Sequence, residues 1–184
     1  MEDISVDTNR LEELYQIIQE WERTEGQQYQ LSEEEYLSKL DVYHKKLDEF
    51  EDNYDVSDIG QGRDRITFTS GSLVTSPSEV SYVIKFSLSD GYQQNDEEIR
   101  LWNNLGSDAR QHVARLYGWD DNRRWIIQER VNQITSDTSA TQTVIDNLES
   151  CGWTGTDIRP ENVGERPTTN HPVLMDLGIG LRQK

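Results

Sequence analysis

Apolar residues return every three to four positions over the first third of the chain and then change to short β-prone runs separated by turn residues. Leu11, Leu14, Tyr15, Ile17, Ile18 and Trp21 fit one face of a helix, with Asn9 and Glu12 as a capping pair at its start. A second helix is signalled by the box Ser32 with Glu35, by the staple positions Leu31 and Tyr36, and by the stripe Tyr36, Leu37, Leu40, Tyr43, Leu47 and Phe50. The polar stretch Glu22–Gln30 joins them. This pattern predicts a helical hairpin over residues 1–55, packed on the rest of the chain; an arm held free for a partner is the other reading.

After Asp55 the period shortens. Ile66–Thr69 and Tyr82–Phe86 read as strands, the first preceded by Gly60-Gln61-Gly62 and the second containing Lys85. A helix with Asn95 as its cap carries Glu97, Glu98, Ile99, Trp102 and Leu105, and Gly106 stands at its C′ position. Arg115–Trp119 and Trp125–Val131 form two more strands around the turn Asp120–Arg124. Ser139 and Gln142 then box a helix that ends at Gly152, and loops follow. The order predicts an α+β fold with an antiparallel sheet, organised as a hairpin (1–55), a strand-rich lobe (56–131) and a smaller, mostly helical lobe (132–184).

Charge sharpens this division. Residues 1–55 hold 17 acids and five bases, and residues 56–184 hold 18 acids and 13 bases, so most of the net charge of −17 sits in the hairpin. Adaptation to high salt would acidify the whole surface, whereas this asymmetry points to an acidic arm on a more ordinary domain. The same charge repels phosphate backbones and argues against nucleic-acid binding, although an acidic arm could mimic DNA. Counted with glycine and without tyrosine, the apolar share is near 35%, against roughly 45–50% in ordinary globular chains. The core is therefore thin. Neither a membrane-spanning run nor a secretory start is present, which predicts a cytoplasmic protein. Cys151 cannot pair within the chain, and with His44, His112 and His171 it offers no zinc-ligand spacing; His112 and His171 read as ordinary loop residues.

Several polar residues occur in an informative order. A glycine turn between strands (Gly60, Gly62), a strand lysine (Lys85) and a helix glutamate (Glu98) precede Asp157-Ile158-Arg159-Pro160-Glu161-Asn162 and Met175-Asp176-Leu177-Gly178. That order resembles the protein-kinase order, with Asp157–Val163 similar to the catalytic loop of Ser/Thr kinases and Met175–Gly178 similar to their metal-binding Asp-Phe-Gly. The resemblance covers roughly residues 56–180. It implies a kinase-like small lobe of antiparallel sheet plus one helix, and an ATP- and Mg²⁺-dependent transfer of the γ-phosphate to a Ser/Thr hydroxyl of a protein.

Transfer of this kind needs backbone amides over the phosphates, a cation on them, hard oxygen ligands for magnesium and a carboxylate facing the acceptor hydroxyl. The resemblance assigns Gly60 and Gly62 to the phosphate loop, Lys85 to the phosphates, Glu98 to orienting Lys85, Asp157 to the base and Asn162 with Asp176 to magnesium. Arg159 stands where relatives carry a lysine toward the γ-phosphate, and in the same frame Gln128 is the gatekeeper, with Glu129 and Val131 presenting backbone groups to adenine.

Plainer readings stand beside these. Lys85 and Glu98 could form a structural ion pair, Glu97 competes with Glu98 as the partner, and Asp157 and Asn162 could simply shape a loop. The chain also departs from the kinase pattern. Arg65 replaces the third glycine, Gly155-Thr156-Asp157 replaces His-Arg-Asp, and only eight residues follow Asp176, which predicts a truncated large lobe. Apolar surface missing there would be supplied by the Leu11–Phe50 hairpin or by a second subunit in a homodimer. Besides an active minimal kinase, the sequence therefore admits a catalytically weak nucleotide-binding module that acts on a regulatory partner through its acidic arm, and more remotely a DNA mimic.

Overall fold

The computed structural model describes residues 4–62, 64–77, 80–88, 92–134, 138–156, 158–177 and 180–184. It is a mixed α+β structure of two compact units, Met1–Tyr92 and Gln93–Lys184.

The first unit runs β1 (Ser5–Val6), α1 (Thr8–Gly26), α2 (Glu33–Tyr54), β2 (Asp58–Gln61), β3 (Arg65–Thr69), a 3-10 turn at Gly71–Leu73, β4 (Val74–Thr75) and β5 (Tyr82–Ser87). β2, β3 and β5 lie side by side and antiparallel, and β1 pairs with β4. The helical hairpin is built into this unit. Leu11, Leu14, Ile18, Ile66, Phe68, Ile84 and Phe86 are all buried, with Tyr15 of α1 stacked on Phe86 at 6.4 Å between ring centroids.

The start of α1 differs from expectation. Asp7, not Asn9, is the cap, its carboxylate accepting from the Arg10 amide at 3.1 Å, and the helix continues to Gly26, well into the expected connector. The Ser32–Glu35 box is present in full. On α2 the inward stripe narrows to Tyr43, Leu47 and Phe50, while Leu37 is exposed. Burial, with Asp58 and Glu51 adding to it, pushes the Tyr43 phenol up to about 12. Gly71 adopts a left-handed φ of +46° beside the end of α2, where a Cβ would run into the carbonyls of Tyr54 and Asp55. Only glycine lets the strand segment lie this close to the helix end.

The second unit opens with α3 (Tyr92–Asn104) and continues with α4 (Ser107–Arg110), β6 (Leu116–Trp119), β7 (Trp125–Glu129), β8 (Asn132–Gln133), α5 (Thr138–Ser150) and β9 (Trp153–Gly155). A 3-10 turn at Pro160–Asn162, β10 (Val163–Glu165), β11 (Pro172–Leu174) and β12 (Leu181–Gln183) complete it. β6 and β7 form a hairpin, β11-β10-β8 a small antiparallel sheet, and β12 pairs with β9. Ile99, Leu105, Val113, Ile126, Val144, Leu148, Val163, Leu174 and Leu177 share one core.

Three expected helix signals in this unit are replaced. Asn95 lies inside α3, fully buried, and its Nδ2 donates to the Arg123 carbonyl at 2.9 Å. Gly106 has an ordinary negative φ and caps the start of α4 instead of closing α3 in a left-handed turn. Gln142 donates to Asp146 at 2.7 Å, four residues on, while the Ser139 carbonyl accepts from Thr143 at 2.9 Å within the helix. The segment read as loops after Gly152 contains four short strands, β9 to β12. Among the described residues, no helix is long and apolar enough to cross a membrane.

Candidate functional site

In the first unit the expected phosphate-binding groups share one row of the sheet. Gly60 is the cross-strand partner of Thr67, and Thr67 is the partner of Lys85. Directly opposed residues project to the same face, so Gly60 and Lys85 stand on one face two strand spacings apart, roughly 10 Å. Alternation along β5 sends Ile84 and Phe86 to the face that holds Tyr15 and Lys85 to the other. The Lys85 side chain is nevertheless almost wholly buried. The glycine turn itself is tight, because the Gly62 amide donates to the Arg65 carbonyl at 2.8 Å. Arg65, where a third glycine was expected, is the first residue of β3 and is buried.

In the second unit Glu98 and Glu97 separate cleanly. Glu98 is fully buried and accepts from Gln128 Nε2 at 2.9 Å. Glu97 lies at the surface in a bidentate pair with Arg100, which holds its carboxyl below the usual range. Glu129 serves the scaffold with its side chain. One carboxylate oxygen accepts from Arg166 at 2.8 Å and the other from the Arg115 amide at 3.2 Å. Its own amide donates to the Arg115 carbonyl at 2.8 Å. Its backbone donor is thus engaged within the fold.

The catalytic-loop segment and the Met-Asp-Leu segment are brought together by β10 and β11. Val163 opposes Leu174, and the Met175 amide donates to the Asn162 carbonyl at 2.8 Å, so Asn162 and Asp176 stand at neighbouring strand ends. Gly164 fits closely against Met175, Val131 and the start of β8. A Cβ there would lie 2.6 Å from Val131 Cγ2, 2.9 Å from the Asn132 carbonyl and 2.9 Å from Met175 Sδ. Val131, Gly164 and Met175 are thus one cluster, to which Asn162 is tied through its bond with Met175. Arg159 is exposed, with its guanidinium 3.8 Å from Glu161. Asp157, the expected base, lies outside the described residues, as does Gly178.

The donor set suits magnesium. Asn162 and Asp176 supply hard oxygens, and Mg²⁺ is ordinarily held by one or two carboxylates together with waters and substrate phosphates. Among the described residues no group of three or more His, Cys, Asp or Glu forms a self-sufficient metal cage. Sequence reasoning missed Arg166, whose guanidinium reaches Glu129, Gln111 O and Val113 O. It also missed the approach of His112 to His171; nothing in their spacing announced either contact.

No protein-family model and no curated protein matches the chain. Among solved structures, it is similar to the crystal structure of PF14_0431, kinase domain, with a TM-score of 0.50 and 12% identity over 69% of this chain and 50% of that one. It is also similar to WbdD in co-crystals with a kinase inhibitor, with a TM-score of 0.44 and 20% identity over 67% of this chain and 32% of that one. The chain spans half or less of the length of these structures. The first likeness carries the fold alone: the chain has a kinase-like fold.

Proposed function

We propose that this protein is an ATP- and Mg²⁺-dependent phosphotransferase that moves the γ-phosphate to a Ser/Thr hydroxyl of a protein. The observation that supports the reading is the Met175-to-Asn162 backbone bond, which brings the segments carrying Asn162 and Asp176 together; these two residues are assigned to magnesium. Magnesium bound there would neutralise charge on the phosphates. Lys85 is assigned to the α/β-phosphates, Gly60 and Gly62 to backbone contacts over them, and Arg159 to the γ-phosphate. Glu98 is assigned to orienting Lys85. Asp157 is assigned as the carboxylate that accepts the proton of the attacking hydroxyl.

The test is radiolabel transfer to generic protein acceptors and to the chain itself, run with a melting scan in ATP, magnesium and both. Transfer is expected from the wild type. The exchange Asp157→Asn is expected to abolish it while keeping the ATP–Mg²⁺ rise in melting temperature, and Asp176→Asn to lose both. No nucleotide-dependent shift in the wild type would overturn the reading.

A second reading, a nucleotide-binding module with little catalysis, is favoured by Arg65. It places a buried arginine where a phosphate loop needs a third glycine, immediately beyond a turn closed by the Gly62–Arg65 bond. A clear thermal shift with no transfer from the wild type would select this reading over the first.

A further inference from the structure

Apart from the residues given to phosphotransfer, two titratable rings meet in the second unit. His112 Nδ1 and His171 Nε2 are 3.2 Å apart, with ring centroids at 5.4 Å and planes inclined by 42°. Both residues are half-buried.

Backbone bonds hold the two residues in place. The His112 amide donates to Ala109 O and its carbonyl accepts from the Leu174 amide, both at 3.0 Å. The His171 carbonyl accepts from the Arg166 amide at 3.1 Å, and its own amide donates to Thr169 Oγ1 at 3.3 Å. Arg166 then ties one loop to the other, donating to Gln111 O at 2.7 Å and Val113 O at 3.0 Å. Its guanidinium is paired with Glu129 at 2.8 Å.

Two ring nitrogens at this separation can share a proton or hold a metal ion. Nitrogens bound at roughly 2.0–2.1 Å to one tetrahedral centre lie about 3.3 Å from each other, close to the spacing found. Chelation therefore asks the rings to turn so that both lone pairs meet at one ion, with little change in their separation. We propose that His112 and His171 form a two-histidine site for a transition-metal ion of the zinc, nickel or copper class, with its remaining positions open to water. Imidazole suits these ions, whereas magnesium and calcium demand oxygen, so the site is chemically separate from Asn162 and Asp176. A bound ion would staple the turn after α4 to the Arg166–His171 turn and, through Arg166, stiffen the Glu129 end of β7.

The chain holds three histidines, which gives the test an internal control. Calorimetric titration of the full chain with zinc chloride near neutral pH is expected to show one saturable site. His112→Ala or His171→Ala should each weaken binding at least tenfold, His44→Ala should leave it unchanged, and magnesium chloride should not compete. Copper(II) loaded on the wild type should give a spin-resonance signal with two nitrogen ligands, a readout that does not depend on any variant folding. Absence of saturable zinc binding, full affinity in both the His112 and His171 variants, or a copper signal without two nitrogens would overturn the site.

Discussion

Gln128 Nε2 donates to Glu98 Oε1 at 2.9 Å, and both side chains are buried. A carboxylate removed from water depends on its donors, and hydrogen bonds to charged groups contribute about 1.5–3 kcal/mol. The variant Gln128→Leu is expected to lower unfolding free energy by about that amount in urea titration, with no change in slope. A loss under about 0.5 kcal/mol would show that the bond carries little of the load on Glu98.

Gly71 fixes the end of α2 against the strand segment of the first unit. In Gly71→Ala a left-handed φ of +46° is combined with a Cβ directed at the Tyr54 and Asp55 carbonyls. Strain and overpacking together are expected to cost about 2–4 kcal/mol. Urea unfolding followed through the tryptophans checks this, and a neutral substitution would mean that the hairpin end relaxes freely.

Gly164 makes the corresponding close approach in the second unit. Gly164→Ala must displace Val131, Met175 or the Asn132 carbonyl, at an expected cost of about 1–3 kcal/mol. Because the displaced groups adjoin Asn162 and Asp176, the ATP–Mg²⁺ thermal shift should shrink as well. An intact shift in a destabilised variant would separate the cluster from nucleotide binding.

Asp120 links acid stability to the turn after β6. Arg124 donates to it from Nε at 2.8 Å and Nη2 at 2.9 Å, and the amides of Arg124 and Asn122 add to this, so its carboxyl is held below the ordinary value. A carboxyl whose folded pKa is lowered stabilises the fold fully above its unfolded pKa, near 3.8. That contribution fades as pH falls through the lower folded value. Asp120→Asn should therefore be less stable than wild type at pH 6, with the gap closing toward pH 2. A gap independent of pH would assign the role of Asp120 to packing.

The segments around Asn162 and Asp176 show how far a linear reading reaches. Asp157, Arg159, Asn162 and Asp176 stand out in the sequence because three of the four fall within six residues, and such a cluster is visible in one dimension. Gln128 with Glu98 was legible only as two separate positions, since their bond depends on β7 and α3 packing at one depth. Helix caps were the least legible signals. Asp7 and Asn9 are both chemically able to cap α1, and in the structure it is the Asp7 carboxylate that accepts from the Arg10 amide.

By itself the sequence determined the helical hairpin, the early strands, the α+β class and the order of the polar residues, because periodicity and turn chemistry act over a few neighbours. Only the tertiary structure decided that Glu98 goes inward while Glu97 pairs with Arg100, that Asn162 and Asp176 adjoin, and that His112 meets His171 across 59 positions. Those contacts depend on strand register and on loops tied by Arg166. Both are settled by which surfaces can exclude water together, and no local stretch of the chain encodes that.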